Sequence, residues 1–311
     1  MDTLRAWVQA ARPLAQVNIA VPLLLGQAMA FALTGRFDLE RMVWIHGFGL
    51  LAQLFIVFAN DFADREGDAK NTTYNQFSGG SRVIPEGKLS PGALRFAALT
   101  AFSTMLAISF TALAQGHGPW LLAGTAATGA LLWAYSYPPL RFAYRGGGEV
   151  LQGLGVGVAL PLVAFATQSG GDFANMRWLA LAPMFVLGVA SNILTALPDH
   201  PADKAAEKRS YPVVHGQWVA RRHFLELTII SACATPLVLP SAPLPVIIAV
   251  AAPAVGIALS ALPLLGSADA EQRDECRVFV IRGGAATNAL LLCWAIALVV
   301  LALVPMLRAT C

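Results

Sequence analysis

The amino-acid sequence predicts an all-α polytopic membrane protein, and three observations carry that prediction. Of the 311 residues, 57% are hydrophobic and 13% are charged, whereas about 25% of the residues in a soluble domain are charged. The mean hydropathy is +0.62. Apolar runs long enough to cross a bilayer recur along the whole chain. We therefore expect membrane helices surrounded by lipid, and neither a soluble enzyme nor a partner of nucleic acid.

Nine apolar runs predict nine transmembrane helices in one domain that covers residues 1–311. The predicted spans are 15–34, 42–60, 94–114, 119–137, 149–168, 177–197, 224–241, 243–264 and 286–306. The second and sixth spans end in similar acidic segments, which indicates a weak internal repeat. The simplest arrangement is two four-helix halves, at about 15–137 and 149–264, plus a ninth helix at 286–306, around a central cavity.

The distribution of positive charge predicts how the helices are oriented. With nine spans and the N-terminus inside, all Lys and Arg residues except Arg36, Arg41, Arg177 and Arg308 fall in inside segments or at their span edges. Cytoplasmic loops carry an excess of these residues. The long loops also lie on that side, at 61–93, 138–148, 198–223 and 265–285. We expect a cytoplasmic N-terminus, a cytoplasmic polar face and a C-terminus outside.

The second span runs into the first acidic motif, Asn60-Asp61-Phe62-Ala63-Asp64-Arg65-Glu66-Gly67-Asp68. On a helix Asn60, Asp64 and Asp68 share one face, and Asp61 lies close to it. Carboxylates concentrated at a membrane edge require a cation. Oxygen ligands suit Mg²⁺, and Mg²⁺ held by one or two carboxylates usually also binds a substrate phosphate.

The sixth span ends in a second acidic motif, with Asp199 and Asp203. Asn192 stands about two turns before this pair. Pro198 and Pro201 predict that the helix breaks and restarts inside the motif, with Asp199 as a helix cap. If both motifs face one cavity, two Mg²⁺ ions can be held between them and a diphosphate.

Basic residues on the same predicted side are candidates to bind that diphosphate, since its many oxygens need several donors. A cytoplasmic location alone also explains basic residues, so each remained a candidate for either role. The candidates are Arg82, Lys88, Arg141, Arg145, Lys204, Lys208 and Arg209.

These motifs resemble the UbiA superfamily of intramembrane aromatic prenyltransferases. The resemblance rests on the two acidic motifs and on Tyr137-Pro138-Pro139-Leu140-Arg141-Phe142-Ala143-Tyr144-Arg145-Gly146. The segments 79–90 and 146–149 look most like the branch that prenylates 1,4-dihydroxy-2-naphthoate in menaquinone synthesis. One position departs from that branch, because Thr195 stands where its members often have asparagine.

The resemblance implies nine helices around a central cavity, two Mg²⁺ ions, a prenyl diphosphate donor and a small aromatic acceptor of the quinone-precursor type. It also implies a bacterial cytoplasmic membrane, and we infer no protein partner. The implied metal ligands are Asn60, Asp64, Asp68, Asp199 and Asp203. The other predicted substrate-binding residues are Tyr137 and Asn192 together with the seven basic candidates.

The expected reaction begins when the C–O bond of the donor ionises to give an allylic cation, which an electron-rich carbon then attacks. Asp64, Asp68, Asp199 and Asp203 are the expected catalytic carboxylates, with Asp61 as a candidate proton acceptor. Two alternatives remain open: a membrane terpene cyclase of the same fold, acting on a prenyl diphosphate alone, and a secondary transporter with intramembrane carboxylates.

Overall fold

The computed structural model of the protein describes residues 2–71 and 80–310, with the side chains of 305–310 left out. Every regular element in these residues is a helix. The α-helices are α1 (Asp2–Ala11), α2 (Val17–Thr34), α3 (Leu39–Asp68), α4 (Pro91–Ala114), α5 (Trp120–Ser136), α6 (Phe142–Arg145), α7 (Gly148–Gln152), α8 (Leu160–Ser169), α9 (Leu181–Ala196), α10 (His200–Ala205), α11 (Tyr211–His215), α12 (Gln217–Cys233), α13 (Thr235–Val238), α14 (Leu244–Ser260) and α15 (Arg273–Thr310).

Seven helical segments of the described residues are long and apolar enough to cross a membrane. They are Asp2–Thr34, Leu39–Asp68, Pro91–Ala114, Gly148–Ser169, Trp178–Ala205, Leu244–Leu264 and Arg273–Val304. Of the other two predicted spans, 119–137 matches α5, whereas 224–241 overlaps only the second half of α12 and continues through α13. Both α5 and α12 have 17 residues and are about 25 Å long. The all-helical class is therefore confirmed. The count of nine spans and the division into two halves stay predictions.

The first acidic motif lies on one continuous helix, as its spacing predicts. The Asp38 side chain begins α3 by accepting hydrogen bonds from the backbone N–H groups of Glu40 and Arg41, at 2.9 and 3.1 Å. The helix then runs for 30 residues and ends at Asp68. Asn60, Asp64 and Asp68 are thus carried by the same rigid element.

The second acidic motif lies where the chain changes helix, as its two prolines predict. The helix α9 ends at Ala196, a 3-10 turn follows at Leu197–Asp199, and α10 begins at His200. The prediction that Asp199 caps the new helix is wrong, because its side chain makes no capping hydrogen bond to α10. Asp199 instead lines the central cavity described below.

Glycines allow the segment after α7 to pack closely against α9. A π-helical stretch, Gly153–Ala159, joins α7 to α8 and packs against α9. A methyl group on Gly157 would lie 2.3 Å from the carbonyl oxygen of Met184. One on Gly188 would lie 2.8 Å from the Cα atom of Gly153. Glycine permits this approach, which sets Asn192 on α9 beside Gln152 on α7.

We expect Gly157→Ala to lower the thermal stability of the protein in detergent. The added methyl would collide with backbone, and overpacking of this kind costs about 1–3 kcal/mol. The matched control is Gly256→Ala on α14, where a methyl would meet nothing within 4 Å. That change should leave the melting temperature unaltered or raise it slightly, because alanine favours a helix over glycine. Equal melting temperatures for both variants would contradict the packing described.

Candidate active site

The two acidic motifs face one cavity, which encloses about 740 Å³ of empty space, including the part open to solvent. Eight of the residues predicted from sequence line it. They are Asn60, Asp64, Asp68, Asn192, Asp199, Asp203, Lys208 and Arg209. The structure thus brings together side chains that lie more than 100 positions apart in the chain.

Lys208 joins the two motifs directly. Its Nζ atom donates a hydrogen bond to Oδ2 of Asp64 at 3.1 Å and lies 3.6 Å from Oδ1 of Asp203. The other oxygen of Asp64 accepts a hydrogen bond from the Tyr144 hydroxyl at 3.0 Å. The Asp64 carboxylate therefore has a partner on each of its oxygens, Tyr144 from α6 and Lys208 from the segment after α10.

The charge state of these partners follows from their surroundings. Burial lowers the pKa of Lys208, but the negative charges of Asp64 and Asp203 outweigh that effect and hold the pKa well above its usual value. Burial, followed by the negative charge of Asp64, raises the pKa of Tyr144 to about 12. Lys208 is therefore a cation at neutral pH, and the Tyr144 hydroxyl is a stable donor.

Another part of the cavity is lined by Asp68, Asp199 and Asn71, which follows α3. The Asn71 side chain donates a hydrogen bond to Oδ1 of Asp199 at 3.0 Å. The Arg82 guanidinium donates to the backbone oxygens of Asn71 and Asp68, at 2.6 and 3.3 Å. A methyl on Gly80 would lie 2.1 Å from Oδ2 of Asp68, so backbone packs directly against this carboxylate. Arg82 thus binds the backbone of two cavity residues and does not itself line the cavity.

The donor atoms fit a hard divalent cation in kind. Carboxylate and amide oxygens converge on the cavity from Asn60, Asp64, Asp68, Asp199 and Asp203, and oxygen donors suit Mg²⁺. Within residues 2–71 and 80–310, however, no three Asp, Glu, His or Cys side chains lie close enough to share one ion. Lys208 and Tyr144 hydrogen-bond to Asp64, and Asn71 hydrogen-bonds to Asp199.

A second group of polar side chains surrounds Asn60 and Asn192. Asn192 donates from Nδ2 to Oε1 of Gln152 at 3.0 Å, and its Nδ2 lies 3.4 Å from the Tyr135 hydroxyl. Asn60 accepts a hydrogen bond from the Ser136 hydroxyl at 3.0 Å. The amides that precede each acidic pair are therefore fixed in orientation by neighbouring side chains.

Sequence reasoning missed several residues of the cavity. Tyr144 and Glu149 both line it, and both stand inside segments quoted for the family resemblance, although neither was selected. Asn71 and Ser210 line it as well. No spacing rule singles out these two, because their positions depend on how the chain turns after α3 and after α10.

Besides Arg82, five predicted substrate-binding residues do not line the cavity. Lys88 pairs with Glu86 at 2.7 Å and binds Gln9. Arg145 and Lys204 point to the exterior and are exposed. Tyr137 donates to the backbone oxygen of Ala59 at 2.9 Å. The Arg141 guanidinium stacks on the Tyr144 ring, 3.5 Å from its centre. This cation–π contact is with a residue that does line the cavity.

Asp61 is not among the residues that line the cavity, and its role as a proton acceptor stays a prediction. Its side chain is 3% exposed and forms an ion pair with Arg12. It accepts hydrogen bonds from the Ser81 hydroxyl and from the Ser81 backbone N–H, the latter at 3.3 Å. On an ideal helix Asp61 lies about 100° from Asn60 but only about 60° from Asp64. Its contacts with Arg12 and Ser81 therefore set where its carboxylate lies. The contacts make it a clamp between α3, the N-terminal segment and the 80–82 loop.

A sequence profile of the UbiA prenyltransferase family matches residues 19–280. The chain belongs to the UbiA prenyltransferase family. It is therefore an integral membrane prenyltransferase, and the predictions of superfamily and enzyme class are confirmed. A transporter is not supported by this membership.

Curated relatives of this UbiA-family chain point to a different branch from the naphthoate one. This chain is 28% identical over 237 residues to a lycopene elongase/hydratase of Corynebacterium glutamicum. The match covers 75% of this chain and 77% of the relative. An assignment to the naphthoate branch is therefore not confirmed.

Solved structures of other UbiA-type proteins share the fold. A UbiA homolog from Archaeoglobus fulgidus, bound to DMAPP and Mg²⁺, superposes with a TM-score of 0.66 at 18% identity, covering 94% of this chain and 98% of that one. A digeranylgeranylglyceryl phosphate synthase gives a TM-score of 0.62 at 15% identity, with coverages of 96% and 99%. At these identities the likeness establishes the fold.

The clamp around Asp61 gives a test that separates a structural role from a catalytic one. We expect Asp61→Asn to cost about 3–5 kcal/mol, because it removes the negative charge of a buried ion pair with Arg12. The measurement is thermal unfolding in detergent, with Glu66→Gln as the control, since Glu66 is on the same helix but 86% exposed. A lost activity with an unchanged melting temperature would favour the catalytic role instead.

Proposed function

We propose that the protein transfers a prenyl group from a prenyl diphosphate to an unsaturated carbon of a lipophilic acceptor, with two Mg²⁺ ions as cofactor. The observation that carries the proposal is the convergence of both acidic motifs on one cavity at the ends of apolar helices. The Archaeoglobus fulgidus homolog supports it, because that protein was solved with Mg²⁺ and either DMAPP or GPP.

Each group of cavity residues has a distinct task in this proposal. Asn60, Asp64 and Asp68 would hold one ion, and Asp199 and Asp203 the other. When bound, the ions neutralise the diphosphate and make it a better leaving group. Lys208 and Arg209 line the same space and donate charge-assisted hydrogen bonds to diphosphate oxygens.

The bond changes then balance without a further reactant. The C–O bond of the donor breaks, and its electron pair leaves with the diphosphate. Two π electrons of the acceptor form the new C–C bond, and the acceptor loses a proton. Glu149 lines the cavity outside both acidic motifs, and we propose that it accepts this proton. Asp61 is bound by Arg12 and Ser81 and does not line the cavity.

The acceptor we favour is a hydrocarbon of the lycopene type. Among the described residues, Lys208 and Arg209 are the cations that line the cavity, and both stand beside the acidic motifs where the diphosphate binds. An aromatic acid would need a further cation for its own carboxylate. The lycopene elongase/hydratase relative favours the same choice. An aromatic acceptor, which the 79–90 and 146–149 segments suggested, is the second candidate.

The topology is part of the proposal. We place the cavity at the cytoplasmic face of a bacterial inner membrane, with the N-terminus inside and the C-terminus outside. The basic residues of the inside loops support this orientation.

We expect Asp64→Ala and Asp199→Ala to reduce product formation by at least about 100-fold, because each removes a carboxylate from one motif. Glu66→Ala is the control, since it removes a neighbouring carboxylate that is exposed. Purified protein would be incubated with Mg²⁺ and DMAPP, GPP and longer prenyl diphosphates, and products read by mass spectrometry. Undiminished activity in either variant, or in excess EDTA, would contradict the proposal.

The acceptor is identified by the same assay with different co-substrates. We expect a prenylated polyene when lycopene in detergent or vesicles is supplied, and a weaker or absent product with hydroxybenzoate or dihydroxynaphthoate. The reverse preference would establish the aromatic acceptor. A cyclic product from the prenyl diphosphate alone would identify a terpene cyclase.

A further inference from the structure

Lys208 is built into the cavity and is not a loosely held surface lysine. Its side chain is 16% exposed. Its backbone N–H donates to the backbone carbonyl oxygen of Asp203 at 2.8 Å. Glu207, the residue before it, has a φ of 57°. A positive φ is uncommon for a residue with a side chain and reverses the chain locally. This turn directs the lysine back towards the motif it has just left.

The ammonium lies between carboxylates that repel one another. Asp64 belongs to the first motif and Asp203 to the second, and the Nζ atom is 3.1 Å and 3.6 Å from their oxygens. Like charges this close destabilise a site that excludes water, and a cation between them removes the repulsion. Lys208 is the cation that the described part of the chain supplies at this point.

The same contact obstructs ligation by Asp64. One of its oxygens accepts from Tyr144 and the other from Lys208, so a divalent cation must displace Lys208 from this carboxylate or share it. A fixed positive charge also repels an entering cation. A diphosphate supplies the compensating negative charge and offers Lys208 new oxygens to bind.

We propose that Lys208 is an internal counter-ion: it holds the two acidic motifs together in the metal-free protein and makes tight metal binding depend on the diphosphate. This positioning role rests on the proposed function. Lys208 leaves Asp64 and Asp203 as the diphosphate arrives, and the same side chain then contacts the leaving group. The free enzyme thus keeps its acidic site assembled without holding metal in an unproductive state.

The test is the affinity for Mn²⁺, a spectroscopic substitute for Mg²⁺, measured by electron paramagnetic resonance on purified protein without substrate. We expect Lys208→Met to bind Mn²⁺ at least about tenfold more tightly than the wild type, because a repelling charge is gone. Lys208→Arg keeps the charge and should bind like the wild type. Lys70→Met is the matched control, since it removes an exposed positive charge near the end of α3.

A second measurement adds inorganic diphosphate to the same samples. It should increase Mn²⁺ affinity strongly in the wild type and much less in Lys208→Met. A lysine that serves only to stabilise the fold would give the opposite first result, with equal or weaker Mn²⁺ binding in Lys208→Met. That outcome overturns the proposal.

Thermal unfolding completes the design. Lys208→Met and Lys208→Gln should melt earlier than the wild type in EDTA and recover in saturating Mg²⁺, since the metal then replaces the counter-ion. If neither neutral variant recovers, the proposal is wrong. Prenyl transfer by the wild type is measured separately, so a failure of the proposed function shows there, and a failure of the Lys208 role shows in the metal affinities.

Discussion

The structure of the cavity depends on one electrostatic constraint: four aspartates must be kept close together at the edge of an apolar bundle. Their mutual repulsion is strong where water is scarce. The protein meets it with donors from separate segments, among them Lys208 and Tyr144 at Asp64 and Asn71 at Asp199. Lys208 and Asn71 come from loops and Tyr144 from the short helix α6, so segments outside the long helices supply these donors.

The clamp around Asp61 extends this arrangement to the N-terminus. Gln9 on α1 donates to the Ser81 backbone oxygen at 2.7 Å, and Ser81 binds Asp61. Next to Ser81, Arg82 supports the backbone of Asp68 and Asn71. Polar contacts therefore run from the first helix through Ser81 and Arg82 to Asn71, which binds Asp199 of the second acidic motif.

Periodicity and charge were sufficient to predict the helical class, both acidic motifs and the helix break at Pro198 and Pro201, because these follow from local rules. They were insufficient where neighbours decide. Asp61 and Asp64 are the same residue type on one helix, yet Asp61 binds Arg12 and Ser81 whereas Asp64 lines the cavity. Basic residues were the weakest prediction, since the predicted topology assigns Lys88, Arg145 and Lys204 to the same face as Lys208.

The break between α9 and α10 makes the two sides of the cavity mechanically unequal. Asn60, Asp64 and Asp68 share a single helix of 30 residues, so they move as one rigid body. Asp203 is carried by a helix of six residues, joined to the bundle by the short 3-10 turn Leu197–Asp199. Any adjustment of the cavity to ligands of different size is therefore concentrated in that turn, while the first motif provides a fixed reference.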